Sequence, residues 1–250
     1  MTSNQPYPLA LLPVLGDKAI DFLQGYLTCD CTQITDRTPV PWALCNLKGR
    51  VVANGWAVCL EPGGIGLILS ATLVHQVANM LTPYARFHRC TMDPESACQL
   101  TVADLDAVPS DDVITQLAGC VLTRQATDDP VKASQLQTAL IQQRFPLVTA
   151  PVSEQFLPQV LNLVDSGAVD FNKGCYLGQE IVARAQFRGA VKKQLVSFDW
   201  QSQPPQIGQS YTSDELPGPV EMVINCATQP AGTNENNATI SGVALGVSRL

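Results

Sequence analysis

Residues 173–189 read KGCYLGQEIVARAQFRG, and the reading of this stretch decides the rest of the chain. Lys173 stands two residues before Cys175, and Gly174 allows a close backbone approach ahead of a helical pattern that starts within LGQEIVARA. An ammonium group and a helix N-terminus both favour a thiolate, so Cys175 is the candidate reactive cysteine. The opposing reading is a small buried apolar residue. Glu180 is likewise open to two readings. A carboxylate facing a pocket accepts paired hydrogen bonds from the N–H edge of a guanidine-like or pterin-like ring, whereas a Glu four residues before Arg184 forms an ordinary surface pair. Between residues 171 and 193 five cations, Lys173, Arg184, Arg188, Lys192 and Lys193, face Glu180 as the single acid. Such a local excess attracts an anionic small ligand or an acidic partner, or is a solvated helix face.

The surroundings limit what this segment can serve. With 250 residues, 46% of them apolar and 15% charged, the chain is long enough for a sizeable core and has no run of membrane-spanning length. A formal charge of -7 opposes general attraction to nucleic acid or to an anionic membrane. Nine cysteines without a secretory leader are expected to be reduced thiols in the cytoplasm. The apolar run LALLPVLG, from Leu9, contains Pro13 and has no basic flank, so it is expected to be a buried strand.

Ile20, Leu23 and Leu27 recur at helical spacing after this strand, behind Asp17 as a cap. Residues 42–69 predict two β-rich stretches separated by a turn at EPGG, and residues 71–87 predict an amphipathic helix ending near Pro83. RFHRCTM reads as a strand, 104–116 as a surface connection or helix start, 131–143 as a helix, and PQVLNLVDSG as an apolar helix with a turn at Ser166–Gly167. After Lys193 the texture changes to short antiparallel strands, QLVSFDW, PVEMVINCA and TISGVALGV, joined by long polar turns such as TQPAGTNENN. A boundary is expected near residue 191.

The segment KGCYLGQE resembles the signature of the YgfZ-type folate-binding proteins, which act in iron–sulfur cluster maintenance and are relatives of the glycine-cleavage T-protein. FLQGYLTCD and CNLKGRVVANG resemble two further segments of that family. The resemblance implies an α+β fold of three domains around a central opening that holds tetrahydrofolate. It implies a T-protein-like folate-binding region of two interleaved subdomains over residues 1–190 and a small β-barrel-like domain over 191–250. It also implies Cys175 as the functional thiol, and Lys173, Tyr176, Gln179 and Glu180 as folate-binding signature residues. Outside the signature, Arg184 is a further candidate for the folate site, and Lys48 and Arg50 either approach the ligand from the second β-rich region or are two solvated charges at a strand entrance. Reduced folate and iron–sulfur proteins or their assembly factors are the implied partners.

T-proteins carry neighbouring aspartates where this chain has Ala53 and Asn54, and neither residue supplies a carboxylate for one-carbon transfer. Relatives often carry Asp at the position of Asn46. Three functions therefore compete: a folate-binding iron–sulfur accessory protein, a T-protein-like aminomethyltransferase, and a non-catalytic interaction module. Cys29 and Cys31 of TCDC lack the companion ligands of a closed metal site, so no metal is expected. His75 and His88 sit in apolar or strand-like patterns that favour structural placement over catalysis. Trp42 and Trp56 read as core aromatics; Tyr176 lies in the signature and offers a stacking face.

Overall fold

The computed structural model describes residues 8–60, 63–103, 112–124, 130–189, 191–214, 216–228 and 240–250. The first apolar run forms strand β1, Leu9–Val14, and it lies inside a sheet rather than at its edge. Strands β2 (Val40–Cys45), β3 (Val51–Cys59), β4 (Ile65–Ser70), β5 (Cys98–Ala103), β6 (Val113–Leu117) and β7 (Cys120–Thr123) complete it in the order β2-β3-β4-β1-β5-β7-β6. Every neighbouring pair is antiparallel. Pro13 is tolerated in a central strand because β5 pairs only with Leu9, Ala10 and Leu11, so the proline lies past the end of that ladder. Continuous apolar sequence in β3 and β4 matches their burial, which extends over both faces.

Helix α1, Ala19–Gln24, follows β1, and helix α2, Val74–Ala85, connects β4 to β5. Val74, Val77, Ala78, Leu81 and Ala85 make the buried stripe of α2 at helical spacing. Pro83 falls in the last turn, and the helix continues two residues beyond it. Helix α3, Pro130–Gln142, packs between β5 and the C-terminal sheet.

Three local expectations are corrected. Residues 86–88 form a 3-10 turn, and the strand-like pattern there reduces to a single bridge between Thr91 and Leu15. Residues 113–117 are strand β6, not a helix start, while 104–111 lie outside the described residues. The PQVLNLVDSG stretch forms successive tight turns, because Asn162 takes a left-handed φ of 58° that interrupts a helical ladder. Its turn at Ser166–Gly167 is present, with Gly167 at φ 79°.

Beyond helix α4, Gln179–Arg188, strands β8 (Lys193–Gln201), β9 (Met222–Thr228) and β10 (Ser241–Arg249) form a separate sheet in the order β8-β10-β9. The polar stretch after Thr228, like Ala190 beside the expected boundary, falls outside the described residues. One face of this sheet sends Leu195, Ile224, Leu245 and Val247 into the main core; the other gathers Phe198, Trp200 and Val223 into a second cluster. Two buried asparagines hold the extended chain between the sheets. Asn54 donates to the Pro146 carbonyl (2.7 Å) and accepts from the Val148 amide (2.8 Å), while Asn225 accepts from the Leu147 amide (2.9 Å) and donates to its carbonyl (3.0 Å). Unpaired, each amide would be costly at such depth.

Candidate functional site

The hydrogen bonds of Lys173 go to backbone carbonyls and not to Cys175. Its ammonium donates to the carbonyls of Gln24 (2.8 Å), Leu27 (2.6 Å) and Cys29 (2.7 Å), which takes up all three of its N–H groups. These carbonyls terminate α1 and its following loop, where a cation complements the helix dipole. Burial lowers the Lys173 pKa, opposed in part by the nearby Cys31, Cys29 and Asp30. The ammonium also stands 5.4 Å from the centroid of the Tyr176 ring. Helix α4 starts only at Gln179, with Gly178 as its N-cap, so Cys175 lies outside the first turn that carries the dipole. What distinguishes Cys175 is access: it is exposed, whereas six cysteines are buried and Cys59 and Cys98 are half-buried.

Two adjoining cavities lie beside the signature. The larger, about 690 Å³, is in the range of small-molecule sites and is lined on one side by Tyr26, Tyr84, Met80 and Leu177. Tyr26 and Tyr84 stand with ring centroids 5.5 Å apart, and burial together with Tyr84 raises the Tyr26 pKa, so the phenol remains a neutral donor. Lys48, Arg50 and Glu154 also line this cavity. Asn46 Nδ2 donates to Glu154 Oε2 (2.8 Å) and Gln76 Nε2 to Oε1 (3.2 Å), which sets the carboxylate in a defined orientation. The Asn46 side-chain oxygen meanwhile accepts from the amides of Lys48 (2.9 Å) and Arg50 (3.1 Å), building the turn between β2 and β3. An Asp at this position would keep the turn and repel Glu154; the amide does both tasks.

The smaller cavity, about 420 Å³, contains Cys175 together with Asp21, His88 and Tyr176. Tyr26 and Leu177 border both cavities, so the recess that holds Cys175 adjoins the aromatic cleft.

No protein-family model matches the chain. The tRNA-modifying protein YgfZ of Cronobacter sakazakii is 31% identical over 222 residues, covering 74% of this chain and 67% of that one. The chain belongs to the YgfZ family. The YgfZ protein of Escherichia coli O157:H7 is also 31% identical with similar coverage, and that of Yersinia pestis is 28% identical. Glycine cleavage system aminomethyltransferase T from Bartonella henselae superposes with a TM-score of 0.63 over 95% of this chain and 76% of its own, at 13% identity. This YgfZ-family chain therefore has the α+β T-protein-like fold.

The YgfZ-type signature is divided between different structural tasks. Lys173 locks the loop, Cys175 faces its cavity, and Tyr176 is 6% exposed with a hydroxyl that has no partner among the described residues. Burial raises the Tyr176 pKa, so that hydroxyl stays protonated. Gln179, Glu180 and Arg184 border neither cavity. Glu180, its side chain 82% exposed, instead pairs with Arg184 at 3.0 Å on the outer face of α4. The i, i+4 geometry of an exposed helix face accounts for that outcome. Lys48 and Arg50 do reach the cleft.

Glu154, Tyr26 and Tyr84 were not singled out by sequence. Glu154 is the only charged residue between Phe145 and Val164, and that isolation was the available signal. Cys29 and Cys31 are buried next to the Lys173 clamp, and no group of three or more His, Cys, Asp or Glu side chains among the described residues is placed to hold a metal. His75 lies on α2 and His88 on the 3-10 turn beside Cys175. Trp42 is buried, and Trp56 stacks on Phe145 at 4.6 Å, so both indoles are core.

Proposed function

We propose that the chain is a cytoplasmic reduced-folate-binding accessory protein of iron–sulfur cluster assembly or repair, with Cys175 as its working thiol. The observation that carries this reading is the adjacency of the Tyr26/Tyr84 cleft, with its held Glu154 carboxylate, to the recess of Cys175, the two sharing Tyr26 and Leu177. A pterin ring offers adjacent N–H donors that suit a fixed carboxylate, and its faces suit the two phenol rings. Lys48 and Arg50 suit the carboxylates of the glutamyl end. Residues 1–190 would supply the ligand site and 191–250 a small β domain packed against it.

The relatives are named for tRNA modification, and a chain of charge -7 is poorly suited to attract RNA by itself. We propose that any such role runs through a partner iron–sulfur protein. A T-protein-like transferase is the second reading, favoured by the Glu154 carboxylate in the cleft. Ala53 and Asn54 do not support it, since both are buried and the Asn54 amide is hydrogen-bonded through both its nitrogen and its oxygen to the Pro146–Val148 chain. Methylene transfer by the purified protein would decide for the transferase.

Titration with tetrahydrofolate tests the main reading. Glu154→Gln is expected to weaken binding about tenfold, the worth of one charge-assisted hydrogen bond, while Glu180→Gln stays within about twofold of the parent. Equal affinity in Glu154→Gln places the ring elsewhere. Absence of saturable binding to the parent protein ends the folate reading.

A further inference from the structure

A third cavity, about 290 Å³, lies beyond Arg50, between the turns at 155–160, the end of α4 and the start of β8. Arg50 borders both this cavity and the aromatic cleft. At the lower limit of ligand-site volumes, the space suits a chain rather than a ring system. Its walls are of two kinds. Phe156, Leu157 and Val160 are apolar, whereas Arg50, Lys192 and Lys193 are cations.

Most cations of the 171–193 segment are already committed. Lys173 is held by carbonyls, Arg184 by Glu180 and Lys193 by Glu221. Lys192 is exposed and makes no ion pair among the described residues, and Arg50 contributes only a hydrogen bond to the Gln155 carbonyl. Two cations without an ion pair among the described residues, Arg50 and Lys192, therefore stand along an apolar wall, and Arg50 is shared with the cleft that also carries the Glu154 carboxylate.

Resting on the folate reading, we infer that this third cavity receives the γ-glutamyl tail of a polyglutamylated folate. A γ-linked glutamyl chain alternates methylene pairs with α-carboxylates, which matches apolar wall against cations. Arg50 takes the first carboxylate at the junction, where its planar fork suits bidentate contact. Lys192 takes a later one as a point charge. The protein would thus distinguish the intracellular, long-tailed form of the cofactor from the single-glutamate form.

The test compares tetrahydrofolate carrying one glutamate with tetrahydrofolate carrying three, titrated into the full chain at low and high salt. The parent protein is expected to prefer the triglutamate about fivefold, the size of an exposed ion pair, with the preference shrinking as salt rises. Lys192→Gln, a change at an exposed side chain, is expected to bring the ratio of the two affinities to about one. Equal affinities in the parent overturn the tail site and leave the folate reading intact. A preference that survives Lys192→Gln also overturns it, because the tail then lies elsewhere. Failure of both folates to bind overturns the tail site together with the reading beneath it.

Discussion

Gly178 sits so close to Asn46 that a Cβ on the glycine would lie 2.4 Å from the Asn46 carbonyl oxygen. Gly178 also takes a φ of 82°, which an L side chain adopts only with strain. The contact is reciprocated one turn away: Gly49, at φ 70°, faces Ile181, whose Cγ2 would be 2.9 Å from an added Cβ. This contact seats α4 on the β2–β3 turn and thereby sets Asn46, Lys48 and Arg50 around the cleft.

Gly178→Ala is accordingly expected to destabilise the protein by about 3 kcal/mol and to weaken folate binding through displacement of the turn. Gly174, in the same signature, has nothing within 4 Å of an added Cβ. Gly174→Ala is expected to change stability by less than about 0.5 kcal/mol. Denaturant unfolding of the pair separates the packing glycine from the permissive one; equal costs would contradict this assignment.

The three carbonyls around Lys173 predict a structural penalty for its removal. Lys173→Met keeps the stem and loses every hydrogen bond, leaving the Gln24, Leu27 and Cys29 carbonyls without that donor. The expected loss is about 3 kcal/mol by chemical denaturation. A cost near zero would show that water replaces the ammonium at the end of α1.

Cys175 should be the first cysteine labelled by an alkylating reagent, ahead of the half-buried Cys59 and Cys98, as read by peptide mass spectrometry. Its rate should be unchanged in folded Lys173→Met, because the ammonium is occupied elsewhere. Slower labelling in that variant would show that Lys173 reaches the thiol after all. Cys175→Ser should retain the parent's stability within about 0.5 kcal/mol yet fail to restore iron–sulfur enzyme activity in cells lacking the protein. Full rescue would remove the thiol from the function.

Glu221 links the three strands of the C-terminal sheet: Lys193 of β8 and Arg249 of β10 both pair with it just ahead of β9. Hydrogen bonds from Lys193 and then Arg249 lower its pKa. A carboxylate depressed in the folded state contributes stability above its ordinary pKa, about 4.3, and loses it as pH falls through the folded value. The melting-temperature gap between the parent and Glu221→Gln should therefore be constant near neutral pH and close in acid. A gap that persists at the acid end would assign the effect to packing.

Sequence alone determined much of this protein. Period-two and period-3.6 patterns are local, so β1, α2, α3 and the strands after residue 193 could be read from neighbouring residues, and the signature identified the family. The pairing of Glu180 with Arg184 was legible too, as one of two readings, since four residues on a helix suffice to define it. Tertiary structure alone decided the site. Lys173 is 144 residues from Cys29, and Asn46 is 108 residues from Glu154, so no local pattern announces either hydrogen bond. The same distance problem concealed Asn54, which in sequence looks like a lost catalytic carboxylate and in the fold clamps the Pro146–Val148 chain. A polar side chain brought to a buried position must be paired, and the partner that satisfies it is chosen by how the sheets and turns close on one another.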